Sequence, residues 1–155
     1  LPLLTDLARD FPGTTIILNH IGAPLGVGPY AGRRAEIFAT WRDSLGALAH
    51  CPNVVVKLGG LGMLFFGFGF ERHDPPASSA ELAAAWRPYI ETCIAAFGPA
   101  RCMFESNFPV DKQSCCYATL WNAFKRLTAG YSAAEKTAMF FRTANRVYRL
   151  RLESE

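Results

Sequence analysis

The chain has 155 residues, half of them apolar and 13% aromatic, with 16 lysines and arginines against 13 aspartates and glutamates and a net charge of +3. That length holds one domain with a real core, and the composition excludes a disordered chain. So small a charge, scattered except in the final RVYRLRLESE, argues against a nucleic-acid surface, and no apolar run reaches the roughly 20 residues of a membrane span.

The chain begins at Leu1, without methionine, on a pattern that already looks helical. It reads as a piece cut from something longer. The run TIILN (Thr15 to Asn19) predicts a first strand. Apolar residues Ile37, Phe38, Trp41, Leu45 and Leu48 then recur at helical spacing between Arg33 and His50. VVVKL (Val54 to Leu58) predicts a second strand; like the first it is almost continuously apolar, as in strands covered on both faces.

A second helical stripe runs from Ser79 to Phe97, with a capping box at Ser78 and Glu81 and a C-cap at Gly98. Pro88 lies inside it and predicts a kink or restart. RCMFES (Arg101 to Ser106) predicts a third strand. Tyr117, Leu120, Trp121, Phe124 and Leu127 mark the next helix, and Ser132 with Glu135 caps another that runs towards Arg142. Strands alternating with helices imply an α/β fold with a parallel sheet and right-handed crossovers. Three strands are compatible with the last three of a (β/α)8 barrel; a flavodoxin-like sheet usually needs five. Such an open sheet leaves two bare edges, so the isolated chain is expected to be marginal, to aggregate, or to pair with a second copy.

Five cysteines, at positions 51, 93, 102, 115 and 116, form no CxxC pair. They read as reduced cysteines of a cytoplasmic protein, not as metal ligands.

In parallel α/β folds function sits at the C-terminal strand ends. The first strand ends in Asn19 and His20, the second in Lys57, and the third in a set containing Glu105, Asn107 and Asp111. His20 at a strand tip is a candidate catalytic group. Lys57 could equally extend to solvent, Glu105 could pair with an arginine or lysine, and Asp111 could cap the next helix. Arg33 and Arg34 could hold a substrate carboxylate, or form a solvated first helical turn. The run GGLGMLFFGFGF fits no phosphate-loop spacing; it suits an apolar loop over a pocket mouth, or a satellite hydrophobic cluster.

FPGTTIILNHIGAP, CPNVVVKLGGLGM, FGPARCMFESNFPVDK and TANRVYRL, in that order and spacing, resemble the C-terminal half of the amidohydrolase-related family. These are metal-dependent-hydrolase-like TIM barrels that include sugar and dicarboxylate lactonases. The resemblance implies a partial (β/α)8 TIM barrel, parallel strands six to eight with flanking helices. It implies a hydrolase attacking a lactone, ester or amide carbonyl with activated water, on a small carboxylate or lactone substrate. His20 would match the strand-six histidine, a metal ligand or a catalytic group beside the metal. The family's strand-eight Ser-Asp-Trp-Pro corresponds to Ser106, Asn107, Phe108 and Pro109, so an asparagine stands where the family has its aspartate. Asparagine cannot take a proton from water, but it can orient substrate or stabilise an oxyanion. The expected site is therefore His20 and Asn107 as catalytic residues, with Lys57, Arg33, Glu105 and Asp111 binding substrate. One divalent ion, zinc or manganese, is expected in the full-length protein, with His20 as ligand beside residues outside this chain, and no complete metal site in this chain alone. A non-hydrolytic carboxylate-binding protein, or a decarboxylase or hydratase relative, is the alternative.

Overall fold

Helix α1 (Pro2–Asp10) starts with a proline in its first turn, where the missing N–H has no intrahelical partner to lose. Then follow β1 (Ile16–Leu18), α2 (Arg34–Ala49), β2 (Val54–Leu58), α3 (Ser79–Phe97), β3 (Cys102–Phe104) and α4 (Tyr117–Leu127). The chain closes with α5 (Ala133–Thr137) and α6 (Thr143–Tyr148), joined by a π-helical turn over Ala138–Arg142. The computed structural model describes residues 1–152, so the end of the basic run RVYRLRLESE lies outside it.

The strands form one parallel sheet in the order β1-β2-β3, with Ile17 opposite Val55 and Lys57 opposite Met103. Only β2 reaches the length expected of it, and its three valines are all buried. The outer strands keep three residues each, their flanking residues leaving the ladder for 3-10 turns. Arg101, read as strand, instead sits in such a turn; its guanidinium donates to the Cys51 and Ala49 carbonyls at 2.9 Å and clamps the end of α2 beside β2.

Helix α3 starts at the predicted capping box and runs through Pro88 without restarting. Its buried face, Leu82, Trp86, Tyr89, Ile90, Cys93 and Phe97, packs on the sheet and α4. The FGFGF segment folds down onto that face: Phe68 meets Tyr89 edge-on at 5.8 Å, and Phe70 meets Trp86 at 6.2 Å. With Phe66 and Phe70 buried, the segment is part of the main core and not a satellite cluster. Cys51, Cys93, Cys102 and Cys115 are free and buried, and Cys116 is free and exposed. No helix among the described residues is long and apolar enough to cross a membrane.

Candidate active site

At the end of β1 the backbone enters the left-handed region at two consecutive non-glycine residues, His20 (φ 50) and Ile21 (φ 53). That conformation is uncommon for any L-residue and strained for a β-branched one, so the surroundings must hold it. They do: the Ile21 side chain is fully buried, and its carbonyl accepts from the Trp41 indole at 2.8 Å.

The turn places His20 against Glu105, which leaves the end of β3. Nδ1 of the imidazole lies 2.5 Å from Glu105 Oε1, and the His20 backbone N–H donates to the same oxygen at 3.3 Å. A carboxylate only accepts, so Nδ1 carries a proton, and in the neutral imidazole Nε2 is the nitrogen with the lone pair. The other carboxylate oxygen faces Lys57, whose Nζ is 3.5 Å away and 5.7 Å from the ring centre of Tyr148. Burial pulls the Lys57 pKa down, but Tyr148 and Glu105 outweigh it and hold it above the ordinary lysine value. Three strand ends thus deliver one histidine–glutamate–lysine group.

Asn107, two residues beyond Glu105, also has a positive φ (51). Its Nδ2 donates to Asp111 Oδ1 at 2.8 Å, while Asp111 Oδ2 accepts from the Gly62 backbone N–H at 3.4 Å. Ser114 Oγ donates to the Gly62 carbonyl at 2.6 Å, so the loops after β2 and β3 are clasped at one glycine. Asp111 is 0% exposed, which corrects two expectations: it does not cap α4, whose cap is Cys116, and it is sealed from substrate.

Burial pushes the Asp111 carboxyl up to about 6, against the downward pull of Asn107, the Gly62 N–H and His20. The native state therefore keeps a proton that the unfolded chain releases near 3.8. Stability from this group is present below that value and lost as pH rises through about 6. Asp111→Asn should remove the loss. Urea unfolding of the full-length protein should show the variant gaining on wild type between pH 4 and pH 7, by at most ~3 kcal/mol.

The glycines after β2 make room for these side chains. A Cβ on Gly59 would lie 2.5 Å from Glu105 Cγ, one on Gly60 2.6 Å from His20 Nδ1, and one on Gly62 2.9 Å from Asp111 Cγ. A loop expected to cover a pocket mouth or to form a satellite cluster is thus the mould for Glu105, His20 and Asp111.

Arg33 does not join them. It is exposed, with Nη2 2.5 Å and Nε 2.9 Å from the Glu36 carboxylate. Its pairing within the first turn of α2 is the solvated alternative, not a substrate contact. Arg34 is structural: it donates to the Phe66 and Gly67 carbonyls and to the Tyr89 hydroxyl, and stacks 4.3 Å over Phe68. Tyr148 was invisible as a site neighbour, since nothing in the pattern ties a helix end at the far terminus to Lys57. A cleft of about 830 Å³ opens between the two loops, lined by Phe70, His73, Phe108, Lys112 and Tyr117 among others. It reaches the site's edge at Phe108 and Ser114 and is not lined by His20, Lys57 or Glu105, so the strand ends carry the chemistry.

A divalent ion finds no complete set of ligands here. Among the described residues no three of His, Cys, Asp and Glu converge, and both Asp111 oxygens are taken by N–H donors. His20 Nε2 is the one site nitrogen left open, so an ion would need ligands from outside this chain.

The sequence matches the amidohydrolase family over residues 1–150. An uncharacterised Sinorhizobium fredii protein, y4mH, is 43% identical over 145 residues, which are 94% of this chain and 42% of that protein. An L-fucono-1,5-lactonase from Burkholderia multivorans is 32% identical over 144 residues, covering 87% of this chain and 43% of the enzyme. The chain thus spans less than half the length of these curated relatives. Among solved structures, a Burkholderia multivorans amidohydrolase with bound HEPES superposes with a TM-score of 0.80 at 28% identity, over 96% of this chain and 49% of that one. A second crystal form of an amidohydrolase from that organism, with bound zinc, gives a TM-score of 0.79 at 28% identity, over 96% of this chain and 48% of that one.

Proposed function

The chain belongs to the amidohydrolase family, and on that premise we propose that the protein carrying it hydrolyses a lactone, with sugar lactones as the first class to test. The observation that carries the reading is the His20–Glu105 pair at 2.5 Å, with Lys57 on the second carboxylate oxygen. The likeness to an L-fucono-1,5-lactonase supports the substrate class.

Water would attack the lactone carbonyl carbon while His20 Nε2 takes its proton. Glu105 keeps Nδ1 protonated, orients the ring and stabilises the imidazolium that forms. As the ring C–O bond breaks, the imidazolium returns the proton to the leaving alkoxide, giving the open hydroxy acid. The Lys57 ammonium has three donors, of which Glu105 needs one, leaving others for a substrate oxygen. Asn107 orients one reacting partner through its amide. A divalent ion in the complete protein would polarise the carbonyl or acidify the water. Among the described residues this chain offers such an ion only His20, so no step here is routed through it.

The test is proton release from L-fucono-1,5-lactone by the full-length protein in a weakly buffered indicator assay. Turnover with saturation is expected. A protein that binds the opened acid in calorimetry but never opens the lactone would sink the hydrolase reading. That outcome would favour a carboxylate-binding protein, the alternative that the amide at position 107 makes specific.

A further inference from the structure

We infer that Asp111 is a positioning residue, whose buried carboxylate fixes the Asn107 amide with its carbonyl oxygen turned to the site as a hydrogen-bond acceptor. The inference rests on the hydrolase reading and deepens it. Asp111 uses its oxygens separately: Oδ1 accepts from Asn107 Nδ2 at 2.8 Å, and Oδ2 from the Gly62 N–H at 3.4 Å. Ionised, as it is above about pH 6, the Asp111 carboxylate offers no donor, so the edge of the amide that meets it is then the NH2 edge. Asn107 Oδ1 has no hydrogen-bond donor among the described residues and is not among the buried unsatisfied atoms. It is the group left free to accept from an attacking water or a substrate hydroxyl.

The backbone holds the same arrangement. Asp111 N–H donates to the Asn107 carbonyl at 3.2 Å, and the Asp111 carbonyl accepts from the Ser114 and Cys115 N–H groups at 3.0 and 3.2 Å. Asn107 is left-handed and its carboxylate partner is fully buried, so neither rotates freely. An asparagine at this strand end is thereby given the hydrogen-bond polarity of a carboxylate without its charge or basicity. Water can be aimed by Asn107 while His20 takes the proton. Oxyanion stabilisation would rest on the second Nδ2 hydrogen alone, because Asp111 takes the first.

Asp111→Asn separates polarity from packing. The new amide is isosteric and can keep its oxygen on the Gly62 N–H. Its NH2 then faces position 107 and forces the Asn107 amide to flip, presenting NH2 to the site. The clasp survives while the acceptor is lost. In the full-length protein kcat on L-fucono-1,5-lactone should fall ~10- to 100-fold with KM within ~3-fold, and the melting temperature at pH 7 should not drop. The swapped pair Asn107→Asp with Asp111→Asn restores an acceptor at 107, held by the NH2 of the new amide at position 111. It should recover at least ~10-fold of the lost kcat. Nitrogen-edited NMR of the side-chain amides should show the carboxylate-bonded Asn107 proton in wild type and its loss in Asp111→Asn.

Two outcomes would overturn the inference. One is an Asp111→Asn variant with wild-type kcat and an unmoved Asn107 amide signal. The other is a loss of kcat that tracks a lower melting temperature and is not recovered by the swap, which is what a purely structural carboxylate would give. If wild type opens no lactone, the hydrolase reading fails by itself. The amide spectrum then still decides the orientation: an unmoved Asn107 signal overturns it, and a flipped one supports it.

Discussion

Replacing Glu105 by glutamine is expected to lower lactone turnover ~10³- to 10⁴-fold while leaving the protein folded, and His20→Gln should cost at least as much. Glutamine keeps the shape of Glu105 but can present an NH2 to the His20 ring. Nδ1 would then accept, the imidazole proton would move to Nε2, and the nitrogen that must take a proton from water would already hold one. The 2.5 Å contact makes this tautomer dependence strong, because Nδ1 has no other hydrogen-bond partner among the described residues. The same change removes the negative charge beside Lys57, where Glu105 Oε2 lies 3.5 Å from Nζ. The loss should therefore fall mainly on kcat, with a smaller rise in KM as Lys57 loses its fixed place. Stopped assays on the full-length variants, with circular dichroism to confirm folding, would decide it. Glu105→Gln activity within ~3-fold of wild type would remove His20 as the base.

Much of this site was legible in the sequence because one rule, function at the C-terminal ends of parallel strands, places residues without needing distances. It brought His20, Lys57 and Glu105 together before any coordinate did. Strand β2 was read to the residue, since three adjacent valines fit little else, and α3 was read from Ser78 and Glu81 because a capping box marks a start locally. Other features depend on what is nearby in space. Pro88 predicted a kink or a restart, and α3 does not restart: one lost N–H is tolerable in a helix whose face is buried on both sides of it. The π turn over Ala138–Arg142 leaves no periodicity of its own in so few residues. Asp111 misled for a similar reason, since an aspartate shortly after a proline reads as a cap for the next helix. Only the Gly62 N–H and the Asn107 amide, from separate segments, explain a carboxylate buried there.

Gly60→Ala should then cost turnover by crowding the base itself. Gly60 has φ +75, a conformation that costs an alanine ~1–2 kcal/mol before any contact is counted. Its new Cβ would lie 2.6 Å from His20 Nδ1, 2.8 Å from Cγ and 2.9 Å from Cβ, closer than such atoms approach. Something must move, and the backbone of His20 has little freedom, being left-handed and anchored through the buried Ile21. The ring is what shifts, away from Glu105. Misplacing a base by about an ångström costs on the order of 100-fold in rate, so kcat should fall by that much in a protein only modestly less stable. Gly13→Ala, which meets nothing within 4 Å and has no positive φ, is the control and should leave kcat unchanged. Equal kcat in Gly60→Ala and the control would mean that the ring is not held against this glycine. A loss confined to Gly60→Ala would show that the loop after β2 does its work by shaping the base's pocket, with its glycines selected for the space that they leave.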